Sequence, residues 1–110
     1  MALFLATSLC WFNYSHMSST PFWYVYFLRC ADNSLYAGIT TDIERRLNEH
    51  NTSNKLGAKY TRVRRPVSLA HLEQAIDRKS ASQREYQLKQ LSKKQKENLV
   101  ALYSRLPIQN

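Results

Sequence analysis

Phe22-Trp23-Tyr24-Val25-Tyr26-Phe27-Leu28-Arg29, resumed after a short break by Leu35-Tyr36-Ala37-Gly38-Ile39-Thr40, is the stretch whose reading decides the fold. The first run is aromatic and β-branched, as strand residues are, and it stops at the turn formers Ala31-Asp32-Asn33-Ser34. The two runs therefore predict an antiparallel hairpin. Alternation places Tyr24, Tyr26 and Leu28 on one face of the first strand and Val25 and Phe27 on the other, while Tyr36 and Gly38 share a face of the second. Gly38 is one of two glycines in the chain. A glycine weakens a strand interior unless something must come close, so a substrate or another backbone is expected to approach there.

Working outward, Thr41 or Asp42 can cap a helix through Ile43, Leu47 and His50, with Glu44 in the first turn where the helix dipole favours an acid. Arg46 and His50, four residues apart, fall on one face and can converge on a common ligand. Asn51 to Lys59 is polar, contains Gly57 and predicts a loop, leading into the basic stretch Tyr60-Thr61-Arg62-Val63-Arg64-Arg65. Pro66 opens a third extended segment, Val67-Ser68-Leu69-Ala70-His71-Leu72, whose alternation predicts pairing with the hairpin and puts His71 on the outer, polar side. Asp77 or Ser80 starts a helix through Ala81, Glu85, Leu88 and Leu91. Ser92-Lys93-Lys94-Gln95 is a capping box that opens a last helix ending near Pro107. The order β-β-α-β-α-α predicts an α+β domain, a small three-stranded antiparallel sheet flanked by helices.

The 110 residues suit one domain, placed at residues 17–110. Sixteen Lys and Arg against 8 Asp and Glu give a formal charge of +8, which favours a polyanionic partner through steering and counterion release. The basic residues are interleaved with aromatics and caps and do not build one amphipathic helix, so nucleic acid is favoured over a membrane surface. Cys10 and Cys30 make neither a disulfide framework nor a zinc spacing, which suits a reducing, cytoplasmic setting. The apolar run Met1 to Trp11 is far shorter than the roughly 20 residues of a membrane span. No Lys or Arg precedes it, as a signal peptide would require. Met17 followed by Ser18-Ser19-Thr20-Pro21 would make an ordinary start before the first strand, so residues 1–16 are expected to be a non-native or disordered upstream extension.

Phosphodiester hydrolysis needs an activated nucleophile, a cation for charge on the phosphoryl oxygens and help for the departing alkoxide. Tyr26 and Tyr36 offer phenols that can take a proton when a cation or metal lies nearby. Arg46 stays charged at any working pH. Glu85 is a lone carboxylate, the kind that holds one Mg²⁺ whose other ligands are waters and phosphate oxygens. No paired carboxylates stand at two-metal spacing, which points to a one-metal scheme. Lys55, Lys59, Arg62, Arg64 and Arg65, with Tyr60 among them to stack on a base, form a candidate backbone-binding flank.

Phe22 to Leu99 resembles the GIY-YIG nuclease domain, closest to its small, single-domain YhbQ-like bacterial members. Val25-Tyr26-Phe27 stands where the family has its first motif, with Tyr24 in place of the glycine. Tyr36-Ala37-Gly38 is the second motif, with Ala37 in place of isoleucine. Arg46 lies ten residues beyond Tyr36 and His50 four further, as in the family, and Glu85 falls in Ser82-Gln83-Arg84-Glu85-Tyr86, where the family keeps its metal-binding glutamate. The resemblance implies that Tyr26 is the general base or its relay and that Tyr36 orients water or phosphate. Arg46 would stabilise the pentavalent phosphate, His50 would hydrogen-bond Tyr26 or the phosphate, and Glu85 would ligate Mg²⁺ or Mn²⁺. It implies an endonuclease acting on DNA in preference to RNA, with little sequence specificity, as a monomer, in DNA repair, recombination or turnover. The alternative is a nucleic-acid-binding domain that keeps the fold and cleaves weakly or not at all.

Overall fold

The computed structural model describes residues 22–106; the expectation for residues 1–16 lies outside them, as does Pro107. Strand β1 (Trp23–Arg29) pairs antiparallel with β2 (Leu35–Thr40), Tyr26 opposite Gly38 and Leu28 opposite Tyr36. Strand β3 (Ser68–Ala75) pairs antiparallel with the other edge of β1, giving the order β2-β1-β3. The central position of β1 explains its unbroken apolar run: Val25, Tyr26, Phe27 and Leu28 are all buried, because both faces of the sheet are covered. On one face Val25 and Phe27 meet Ala81 and Leu88 of helix α3 (Arg78–Gln90), with Leu99 and Val100 of α4 (Lys93–Ser104) packed alongside. On the other, Tyr26 and Leu28 meet Ile43 and Leu47 of α1 (Ile43–Thr52).

The helix starts follow from side-chain capping. Asp42 accepts from the Arg45 amide, Asp77 accepts from the Ser80 amide, and Ser92 and Gln95 form a reciprocal capping box. Each such cap contributes about 1 kcal/mol. Arg29 at the end of β1 holds Glu97 of α4 through two hydrogen bonds of 2.5 and 2.7 Å, tying the last helix to the sheet.

Two segments depart from the sequence expectation. Lys59–Arg62, inside the stretch read as loop and basic run, folds as a one-turn helix, α2, which turns Thr61 into the interior. His71 is buried rather than outward. A β-bulge sets Phe27 opposite His71 but Leu28 opposite Leu69, and the extra residue lets Ala70 and His71 both point inward. His71 packs against Phe27 and the edge of Tyr103, with Nε2 2.7 Å from Glu73, which is held by Arg84 of α3 at 2.7 and 3.1 Å. These partners hold the Glu73 carboxyl down at about 2, the His71 hydrogen bond first and the Arg84 pair next, against the opposing effect of burial.

Candidate active site

Register builds the site. With Tyr26 opposite Gly38, the Tyr26 phenol passes over the Gly38 α-carbon: a Cβ there would lie 2.3 Å from the hydroxyl oxygen and 2.5 Å from Cζ. The close approach expected at Gly38 is therefore made by a side chain of the neighbouring strand, not by substrate or another backbone. Tyr26 is 1 % exposed.

Its hydroxyl reaches His50 Nε2 at 3.0 Å, and His50 Nδ1 lies 2.7 Å from the Thr61 hydroxyl oxygen. The Thr61 hydroxyl donates to the Ala58 carbonyl at 3.2 Å, which leaves its lone pair to accept from Nδ1–H. That arrangement assigns the tautomer: Nε2 carries no proton and accepts from Tyr26. Burial, opposed by the Arg46 guanidinium beside the hydroxyl, pushes the Tyr26 phenol up to about 12, with Tyr36 and Glu85 near enough to act in the same direction as burial. Burial first, and the Arg46 charge next, pull His50 down to about 4. At neutral pH the pair is thus an uncharged phenol donating to an uncharged imidazole.

Around this buried line stand the groups that meet solvent. Tyr36, half-buried, sits with its ring centroid 5.3 Å from that of His50, edge-on, and 5.8 Å from that of Tyr60, stacked. Arg46 projects from α1 one turn before His50, and its Nη1 donates to Glu49 at 2.9 Å and to the Leu56 carbonyl at 2.7 Å, fixing the loop after the helix. Glu85 on α3 is half-buried, and its ion-pair partner is the exposed Lys89 at 3.4 Å. A carboxylate held that loosely keeps its oxygens available. Among the described residues no three His, Cys, Asp or Glu cluster around a common point, so a metal here would rely on Glu85 with water and substrate oxygens. Mg²⁺ accepts that donor set, so the residues fit a single ion.

The five predicted groups Tyr26, Tyr36, Arg46, His50 and Glu85 are thus linked by contact or by mutual electrostatic influence. The predicted basic flank divides in two. Arg65 donates to the His50 and Ser53 carbonyls and to Asn54, closing the end of α1. Arg62 donates to the Asn54 carbonyl, and Arg64 bridges Asp32 and the Tyr60 carbonyl with its guanidinium 3.8 Å over the Tyr60 ring. Lys55 and Lys59 are exposed and have no ion pair among the described residues. Thr61 was not legible as a site residue, since nothing local marks a threonine inside a basic run as the partner of a histidine 11 residues earlier.

A family model described as the GIY-YIG catalytic domain matches residues 22–98. The UPF0213 protein DP2720 of Desulfotalea psychrophila is 58% identical over 80 residues, covering 73% of this chain and 72% of that one. The UPF0213 protein YhbQ of Salmonella arizonae is 51% identical over 81 residues, covering 74% and 78% respectively. The solution NMR structure of protein EF2693 from E. faecalis aligns with a TM-score of 0.51 at 37% identity, covering 81% of this chain and 94% of that one. No helix among the described residues is long and apolar enough to cross a membrane.

Proposed function

Because the chain belongs to the GIY-YIG family, we propose that it is a divalent-metal-dependent endonuclease that hydrolyses DNA phosphodiester bonds with little sequence preference. On this reading it works as a cytoplasmic monomer in DNA repair, recombination or turnover. The observation that carries the proposal is the buried line Tyr26, His50, Thr61 ending beneath Gly38, with Arg46 and Glu85 beside it.

In this reading Arg46 and Tyr36 receive the scissile phosphate at the rim. The Arg46 guanidinium, already oriented by Glu49 and the Leu56 carbonyl, is preorganised for charge that builds on the phosphoryl oxygens. Tyr26 acts as a relay: its oxygen takes a proton from the attacking water as its own proton passes to His50 Nε2. With the phenol at about 12 and the imidazole at about 4, neither a free phenolate nor a standing imidazolium is favoured, so both proton transfers accompany attack on the phosphate and the charge on His50 is transient. The imidazolium formed keeps its Nδ1–H bond to Thr61. Glu85 would hold Mg²⁺ or Mn²⁺, and the chemistry such an ion supplies is neutralisation of charge at the leaving oxygen. Lys55 and Lys59 serve the flanking backbone through charge.

The test is cleavage of single-stranded, duplex and branched DNA, and of RNA, with Mg²⁺, with Mn²⁺ and with chelator. Metal-dependent cutting of DNA that is lost in Arg46→Ala supports the proposal. Binding without cutting in every metal would replace it with the binding-domain alternative.

A further inference from the structure

Beside Arg46, an open groove of about 310 Å³ runs between α1, the end of β2 and the start of α3. Trp23 and Ile39, each partly buried against the core, form its apolar wall, and Arg45, Arg46 and Arg78 line it beside them. One carboxylate, Glu49, faces them, and it is engaged with Arg46 at 2.9 Å and Arg45 at 3.4 Å. The groove therefore keeps an excess of positive charge. Arg78 is exposed and has no carboxylate partner among the described residues; its guanidinium lies 5.8 Å from the Trp23 ring centroid, at the outer limit of a cation–π contact. It also occupies the first turn of α3, where a cation opposes the helix dipole. Its one contact of this kind, the edge of a cation–π approach to Trp23, leaves the guanidinium open to a further partner.

Position along α3 supplies the link to the cleft. Arg78 and Glu85 are seven residues apart, two turns of helix on one face, so they are separated along the axis by about 10 Å. That span corresponds to a short step along a nucleic-acid strand. Arg46 lines the groove and belongs to the cleft, so the two are continuous.

We infer that this groove is a subsite for one unpaired nucleotide next to the scissile phosphate, its phosphate on Arg78 and Arg45 and its base against Trp23. The inference deepens the nuclease reading and rests on it. The flat indole can stack on any base, which gives affinity without sequence preference. A base that enters the groove singly has left its own duplex, so the subsite selects strands that are single-stranded beside the cut.

The chain has two tryptophans, Trp11 and Trp23, so full-length protein carrying Trp11→Phe reports on Trp23 alone. It is titrated in chelator with a 5′-phosphorylated thymidine dinucleotide and with a short oligothymidylate. The expected result is saturable quenching of Trp23 fluorescence by both ligands. Arg78→Gln, an exposed substitution, should weaken oligothymidylate binding about tenfold and reduce its salt slope by about one, as losing one phosphate contact does. Absence of quenching, or unchanged affinity and slope in Arg78→Gln, overturns the subsite. Cleavage with metal is measured on the same protein. Quenching without cleavage in any metal defeats the nuclease reading and leaves a strand-binding groove, whereas cleavage without quenching defeats the subsite alone.

Discussion

Gly38→Ala tests whether one hairpin register builds both fold and site. The glycine has a negative φ, so alanine fits the backbone there without strain. The obstacle is the Tyr26 phenol, whose hydroxyl oxygen and Cζ would lie 2.3 and 2.5 Å from the new methyl, well inside van der Waals contact. Relief requires the ring to shift by about 1 Å, in a core that holds it at 1 % exposure, and overpacking of this kind costs about 1–3 kcal/mol. The same shift strains the 3.0 Å bond to His50, adding about 1 kcal/mol for a buried hydrogen bond. At roughly 4–8 °C per kcal/mol for a domain of this size, the midpoint of thermal unfolding should fall by more than about 8 °C. Tyr26→Leu supplies the control: with the ring gone, Gly38→Ala should become neutral or stabilise by about 0.4–1 kcal/mol through the unfolded chain. Tyr26→Phe should not rescue, because Cζ remains. Wild-type melting of Gly38→Ala, or an equal loss in the Tyr26→Leu background, would refute the reasoning.

Thr61→Val strips His50 Nδ1 of its acceptor in a fully buried site, so stability should drop by about 1–3 kcal/mol and cleavage with it, while Thr61→Ser restores both; thermal melts and single-turnover rates check this. Because folding depresses His50 from 6.5 to about 4, the unfolded chain binds more protons between those values, and stability should fall as pH drops through that window, less so in His50→Gln. Glu73, depressed from 4.5 to about 2, contributes stability that is whole above pH 4.5 and is lost toward pH 2; denaturant melts of Glu73→Gln across that range should show a flattened acid limb. Glu85→Gln should abolish stimulation by Mg²⁺ with an unchanged melt, its carboxylate being tied, among the described residues, only to the exposed Lys89.

What could be read in advance was local. Helix starts at Thr41 or Asp42, at Asp77 or Ser80 and at Ser92, of which the structure selects Asp42, Asp77 and Ser92 as caps, the hairpin turn and the spacing of Arg46 and His50 each depend on neighbours within a few residues, so chain order exposes them. Thr61, His71 and Arg65 resisted because their roles depend on distant chain. Thr61 needs α2 to fold back on α1, His71 needs a bulge that breaks the two-residue period, and Arg65 needs the carbonyl end of α1 to cap. The sequence marks the basic run as charged, yet charge alone does not separate arginines that close the loop from lysines left to solvent.

The two tyrosines share a face of one hairpin and nevertheless have different environments, and the difference follows from what each meets across the strands. Tyr26, on the central strand, faces Gly38 and is roofed by His50 from α1; Tyr36, on the edge strand, faces Leu28 and reaches the rim beside Tyr60. Slipping the register by one residue would set Ala37 or Ile39 against Tyr26, turning the opposed side chains to opposite faces and filling the gap the phenol occupies. The glycine of the second motif is therefore best understood as the complement of the tyrosine of the first. A single strand pairing both buries the phenol and aims it at His50, so selection for the fold and for a proton path would act on the same residues.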